Sequence, residues 1–138
     1  MSIKEDREKD VELIEAAKQM LKSRFREGKH HVGAAVRTKS GNIYAAVNLD
    51  AYIGRVAVCA EAIAMGKAVS EGEEELLAIA AVYADSPEAD PHLVSPCGMC
   101  RELISDYGEQ IQVIMPDGPG LFRKKGIMEL LPEKYTRE

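Results

Sequence analysis

At 138 residues the chain falls within the size of one domain, read as a single unit over 1–138, and 46% hydrophobic residues can build a core; with aromatics at 5% and no Trp, that core has to be Ala, Val, Ile, Leu and Met. A formal net charge of −5, from 18 Lys and Arg against 23 Asp and Glu, disfavours nucleic acid as a partner. No apolar run approaches the roughly 20 residues of a membrane helix, and the charged stretch Met1 to Asp10 lacks the apolar centre of a signal peptide, so no membrane and a cytoplasmic location are expected.

Val11, Ile14, Ala17, Leu21 and Phe25 recur at helical spacing, with Leu13 and Met20 beside them, and predict a helix over Val11 to Phe25. The mixed-sign run Lys4 to Lys9 reads as its solvated start. Val32 to Arg37 and Ile43 to Leu49 are β-branched strands, and the turn residues Thr38-Lys39-Ser40-Gly41-Asn42 join them as a hairpin. Ala57 to Ser70 is a helix rich in small residues. Leu76 to Ala84 is a continuous apolar strand, which implies cover on both faces. Asp85 to Pro96 reads as a proline-bearing loop. A short helix follows over Cys97 to Tyr107, with Met99, Leu103, Ile104 and Tyr107 expected to face inward. Ile111 to Met115 is a strand, Pro116 to Gly120 a turn, and Ile127 to Leu131 a helical turn. This order implies a mixed sheet covered by helices.

All three cysteines fall in two short motifs, Cys59-Ala60-Glu61 and Pro96-Cys97-Gly98-Met99-Cys100. An odd number cannot close into a disulfide framework, and in a reducing compartment metal binding is the better use of them. Cys97 and Cys100 lie one turn apart at a helix start and can reach one ion. Cys59 is expected at the start of the other helix, so two helix N-termini would face one metal. Three thiolates on a divalent ion carry a net charge of about −1, which the helix dipoles and Arg101 beside Cys100 can offset. Three sulfurs leave zinc a fourth position for water, and Glu61 is placed to move that water's protons.

Simpler readings compete. Isolated cysteines are ordinarily small buried hydrophobes, and a Cys-Gly-Met-Cys pair could be redox-active, although that chemistry would not use Cys59-Ala60-Glu61. A structural zinc site needs a fourth protein ligand, for which His30, His31 and His92 are the candidates.

The residues resemble the zinc-dependent cytidine deaminase superfamily, in its small three-cysteine and blasticidin S deaminase-like branch. Cys59-Ala60-Glu61 and Ser95-Pro96-Cys97-Gly98-Met99-Cys100-Arg101 are similar to its two ligand motifs. Val32-Gly33-Ala34-Ala35 resembles the strand lining the base pocket, Asn48-Leu49-Asp50 the sugar-binding stretch, and Leu130-Leu131-Pro132 the C-terminal signature. The resemblance runs from about Val32 to Tyr135. It implies an α/β fold, a three-layer α/β/α sandwich with a mixed five-stranded sheet. It implies one zinc per chain on Cys59, Cys97 and Cys100, with Glu61 as the catalytic proton shuttle and Arg101 behind the ligands. Val32, Asn48, Asp50, Ala60, Ser95 and Tyr135 would contact an aminopyrimidine nucleoside, and a homotetramer would complete the sites.

Four positions depart from the cytidine-specific pattern: His30 in place of Phe, Asp50 in place of Glu, Ala62 in place of Arg, and Tyr135 in place of Phe. Blasticidin S deaminases also lack that Arg and end in a Tyr, whereas the interval from Asn48 to Cys59 fits the cytidine type. The implied reaction is hydrolytic deamination of cytidine or deoxycytidine to the uracil counterpart with release of ammonia. A blasticidin S-type or other cyclic-amidine deaminase is the alternative. A nucleic-acid-editing deaminase shares the ligand logic but needs a basic face, and a zinc-stabilised binding module would have no use for Glu61.

Overall fold

The computed structural model describes residues 2–137. Its first element, α1 (Ile3–Arg24), starts where Ser2 caps the helix by accepting a hydrogen bond from the Glu5 N–H at 3.1 Å. The charged run 4–9 is therefore regular helix. The buried stripe is Leu13, Ile14, Ala17 and Leu21, joined by Asp10, and Val11 lies outside it at 41% exposed.

The strands are β1 (Val32–Thr38), β2 (Ile43–Val47), β3 (Leu76–Tyr83), β4 (His92–Val94), β5 (Gln112–Pro116) and β6 (Phe122–Gly126). Five of them run in the order β2-β1-β3-β5-β6, and β4 adds a short sixth on β3. β1 is antiparallel to both β2 and β3, β3 is parallel to β5, and β5 is antiparallel to β6. β4 and β5 share one edge of β3: Ala81 to Tyr83 pair with β4, whereas Ala78 and Ile79 pair with β5. Two strands escape the sequence pattern. His92–Val94 is three residues long inside a segment that reads as loop, and Phe122–Gly126 (FRKKG) has the charge of a protected edge rather than an apolar run.

α2 (Ala60–Ser70) and α3 (Gly98–Tyr107) cover one face and α1 the other, which makes three layers. Ala34, Val36, Ile79, Ala81, Val113 and Met115 meet α2 and α3 on one side, while Ala35, Ala78, Ala80, Val82 and Ile114 meet α1 on the other. Small residues let the helices approach closely. A Cβ on Gly33 would sit 2.5 Å from the Ala17 carbonyl oxygen and 2.9 Å from the Leu21 Cβ. Within α3 the inward residues are Cys100, Ile104 and, half-buried, Leu103. Met99 and Tyr107 are exposed, because the face of this helix is set by the cysteines rather than by its largest apolar side chains.

Polar anchors fix the layers. Buried Asp10 lies 3.6 Å from Arg37 and 3.2 Å from Lys124, which ties α1 across β1 and β6. Glu73, between α2 and β3, accepts from Ser40, Asn42 and Tyr44 and holds the β1–β2 turn. Among the described residues no helix is long and apolar enough to cross a membrane.

Gly33→Ala should destabilise the fold by about 1–3 kcal/mol, because backbone rather than a flexible side chain stands in the way; equilibrium denaturation measures it. The Asn42, Ser40 and Tyr44 donors hold the Glu73 carboxyl down at about 2 against an ordinary 4.5. Its contribution is therefore complete above the ordinary value and disappears as pH falls toward about 2. The stability gap between the native chain and Glu73→Gln should accordingly narrow from pH 6 to pH 3.

Candidate metal centre and active site

Cys59 is the N-cap of α2 and Cys97 the N-cap of α3, and neither sulfur closes a capping hydrogen bond. Helix α2 begins at Ala60 rather than Ala57. The preceding segment forms a short 3-10 turn (Gly54–Val56), and Val58 pairs with Leu49, which delivers Cys59 in extended conformation. Cys100, one turn into α3, is buried.

The three sulfurs lie within 4.8 Å of one another, with Cys59 and Cys97 3.6 Å apart. That separation is far beyond a disulfide bond. It matches the roughly 3.8 Å between two sulfurs bound tetrahedrally to one zinc at about 2.3 Å each. Among the described residues, no fourth His, Cys, Asp or Glu joins the group. The histidines are engaged elsewhere. His30 Nδ1 donates to the Asn48 carbonyl at 2.7 Å, and His31 donates from Nδ1 to Ala84 and accepts at Nε2 from Gly28. His92 is exposed on β4, edge-on to Tyr83. A three-sulfur set of this kind is the ligand pattern of a catalytic rather than a structural zinc.

The thiols differ in acidity. Burial pushes Cys59 and, much further, Cys100 above the ordinary thiol value, with Glu61 adding to both shifts. Burial acts on Cys97 as well, but the Cys100 and Met99 N–H groups, which point toward the sulfur without completing a capping bond, and the neighbouring thiols overcome it and bring Cys97 below that value. The first turn of α3 thus favours one thiolate directly, and all three ionise together only against a cation.

Glu61 occupies the first turn of α2 and is 6% exposed. Burial raises its pKa above the ordinary carboxylate value, and its own backbone N–H and the Cys100 thiol oppose the rise only in part. A narrow crevice lined by Ile79, Ala81, Val94, Pro96 and Val113 encloses it. Val94 and Pro96 belong to β4 and the link to Cys97, so the strand hidden in the sequence joins β3 and β5 in shielding the carboxyl. A dry carboxyl beside a metal centre is suited to taking up and returning protons.

The remaining predicted site residues separate into two groups. Val32 packs with Cys59 and Val94 against the same cluster, Ala60 is buried directly after Cys59, and Ser95 is exposed between β4 and Cys97. Ala60 and Ser95 thus lie next to the ligand motifs along the chain, and Val32 packs against the core cluster that contains Cys100. Asn48 lies further out, with its amide occupied: Oδ1 accepts from His31 and Val32 N–H at 3.1 Å each, and Nδ2 donates to the Lys29 carbonyl. Asp50 is exposed and accepts from the Ala51 N–H. Arg101 points its hydrogen bonds at the Pro96 and Leu130 carbonyls, which fixes the loop before Cys97 and the C-terminal turn instead of reaching a sulfur. Tyr135 stays on the outer side of α3 beside Glu102 and Asp106, because Lys134 is tethered to Ser105 and Asp106. The residue is 77% exposed.

The family model for the cytidine and deoxycytidylate deaminase zinc-binding region matches residues 7–115, which include all three cysteines and Glu61. A blasticidin-S deaminase from Bacillus cereus is 50% identical over 133 residues, covering 94% of each chain. A cytidine deaminase from Sporosarcina psychrophila is 32% identical over 132 residues, covering 94% of this chain and 93% of that one. The crystal structure of cytidine deaminase from Burkholderia pseudomallei superposes with a TM-score of 0.76 at 28% identity, over 91% of this chain and 98% of that chain. With the sulfur cluster, these matches identify the chain as a member of the cytidine and deoxycytidylate deaminase family of zinc-binding hydrolytic deaminases.

Proposed function

We propose that this chain hydrolyses the exocyclic amine of a cytosine ring carried on a sugar-like substituent. The observation that carries the reading is the buried Glu61 carboxyl beside the Cys59, Cys97 and Cys100 sulfurs. Zinc bound there supplies Lewis acidity, which brings water toward hydroxide near neutral pH. Glu61 takes a proton from the attacking water and delivers it to the ring nitrogen. Later it returns a proton to the departing amine. The ring carbon gains a bond to oxygen and loses its bond to nitrogen, so water and substrate yield the uracil-type product and ammonia with no oxidant. Ala60 and Ser95, flanking the ligands, offer backbone groups to the base and the leaving amine, and Val32 forms the wall beneath the ring.

Two substrate classes fit this centre. The cytidine deaminase relatives support cytidine and deoxycytidine, which would give the enzyme a place in pyrimidine salvage. The relative at 50% identity supports blasticidin S, and Ala62 and Tyr135 agree with it. The exposed, locally bonded Asp50 and the occupied Asn48 amide favour a sugar side built differently from a plain ribose pocket.

Three unpaired cysteines suit a reducing cytoplasm. Exposed Tyr52, Ile53 and Val56, just before Cys59, suit a homotetramer that covers them. Light scattering checks the assembly.

Cys97→Ser should reduce metal content from about one zinc per chain to a small fraction and lower the melting temperature; elemental analysis and a thermal scan measure both. Glu61→Gln should keep the zinc and lose at least 10²-fold in kcat. Cytidine, deoxycytidine, blasticidin S, free cytosine and guanine assayed together decide the substrate. A zinc-loaded chain inactive on every cytosine compound refutes the reading.

A further inference from the structure

We infer that a cavity on the α1 side of the sheet binds a small carboxylate with an apolar body, its charge on Arg7 and its hydrocarbon between α1 and the β5–β6 turn. The cavity measures about 630 Å³, within the roughly 300–1,000 Å³ of small-molecule sites. It lies across the sheet from the sulfur centre. Ile14, Leu93 and Phe122, which line it, belong to the core on the α1 side, whereas Cys59 and Cys100 pack in the core on the other. It is therefore a second site, independent of the function proposed above.

Three parts of the chain build it. Arg7, Val11, Ile14 and Lys18 follow one another at helical spacing along one face of α1. At about 1.5 Å per residue, this wall runs roughly 16 Å. The second wall, Asp90 to Leu93, is held to α1 where Lys18 and Lys22 approach Asp90 at 3.9 Å each. The third is the β5–β6 turn, closed by the Asp117 N–H on the Leu121 carbonyl and the Leu121 N–H on the Gly118 carbonyl. Pro91, Pro116 and Pro119 stiffen both loops, which lowers the ordering cost of binding.

Arg7 sets the charge of the occupant. Its guanidinium carbon sits 4.6 Å from the Phe122 ring centroid, so one face of the planar group rests on the ring. No carboxylate pairs with it among the described residues. Stacking fixes the plane of the guanidinium and leaves its N–H edges for a bidentate carboxylate. Lys18 differs, because Glu15 and Asp90 stand 4.0 and 3.9 Å from its ammonium. One unmatched positive charge suits a monoanion, and Glu15 and Asp90 in the cavity wall repel a phosphate dianion. Val11 and Leu121, two large apolar side chains left exposed, line the same space, and a hydrocarbon laid there covers both.

The probe is decanoate, kept below its micelle concentration and titrated by calorimetry into the native zinc-loaded chain, with 1-decanol, decyl phosphate and acetate as comparisons. One decanoate should bind per chain, decanol and decyl phosphate about tenfold more weakly, and acetate without measurable heat. Arg7→Gln should weaken decanoate about tenfold, leave decanol within about twofold and keep a near-native melting temperature, since Arg7 is exposed. Leu121→Ser should weaken decanoate and decanol alike. Absent binding, several decanoates per chain, decyl phosphate as the tighter ligand, or undiminished binding to Arg7→Gln overturns the site. None of these results bears on the deaminase reading, which the metal and activity measurements decide separately.

Discussion

Three sulfurs kept within 4.8 Å of one another are the constraint on which the rest of this structure depends. Left to themselves, thiols at that distance resist ionising together, because each thiolate raises the cost of the next. The fold answers with geometry. Two helices begin at cysteine, and the positive ends of α2 and α3 face the same point. Because Cys59 and Cys97 do not cap their own helices, their sulfurs remain available to an ion. The same arrangement places Glu61 one turn-step behind Cys59, in a crevice too dry to favour its charge.

Bringing two helix N-termini together requires a sheet that both helices can approach, and composition makes that approach possible. Alanine dominates the α1 face of β1 and β3 through Ala35, Ala78 and Ala80, Ala34 and Ala81 keep room on the other face, and Gly33 removes the last obstacle beneath α1. β3 is covered on both sides and is the central strand of the sheet. Splitting its far edge between β4 and β5 directs the chain from Val94 through Pro96 straight to Cys97. The approach of Cys97 to Cys59 is thus a consequence of how one strand edge is shared.

The sulfur centre and the polar groups around the β1–β2 hairpin occupy separate parts of the fold. Glu61 and the cysteines sit on helix starts, within the packed layer between α2, α3 and the sheet. His30, Asn48 and Asp50 sit on the segments that enter and leave the β1–β2 hairpin, where a side chain can change without disturbing the core.

The cysteine motifs, the Glu two residues after Cys59, the α/β order and the main helices were legible in the chain because each is a local pattern: a spacing, a period or a turn. The strands β4 and β6 were not, since three residues among prolines and the run FRKKG carry no period of their own and become strands only by pairing. Nor was the inward face of α3, where the ligand Cys100 displaces Met99 and Tyr107 from the buried stripe. Arg101, Asn48 and Tyr135 show the same limit. Residue type made each a candidate for the site, but the Leu130 carbonyl, the His31 and Val32 N–H groups and the Lys134 tether decided what each one touches. By itself the sequence determined which atoms could bind a metal and move a proton. Only the tertiary structure decided which polar groups satisfy one another and which remain for a ligand, because that depends on partners distant along the chain.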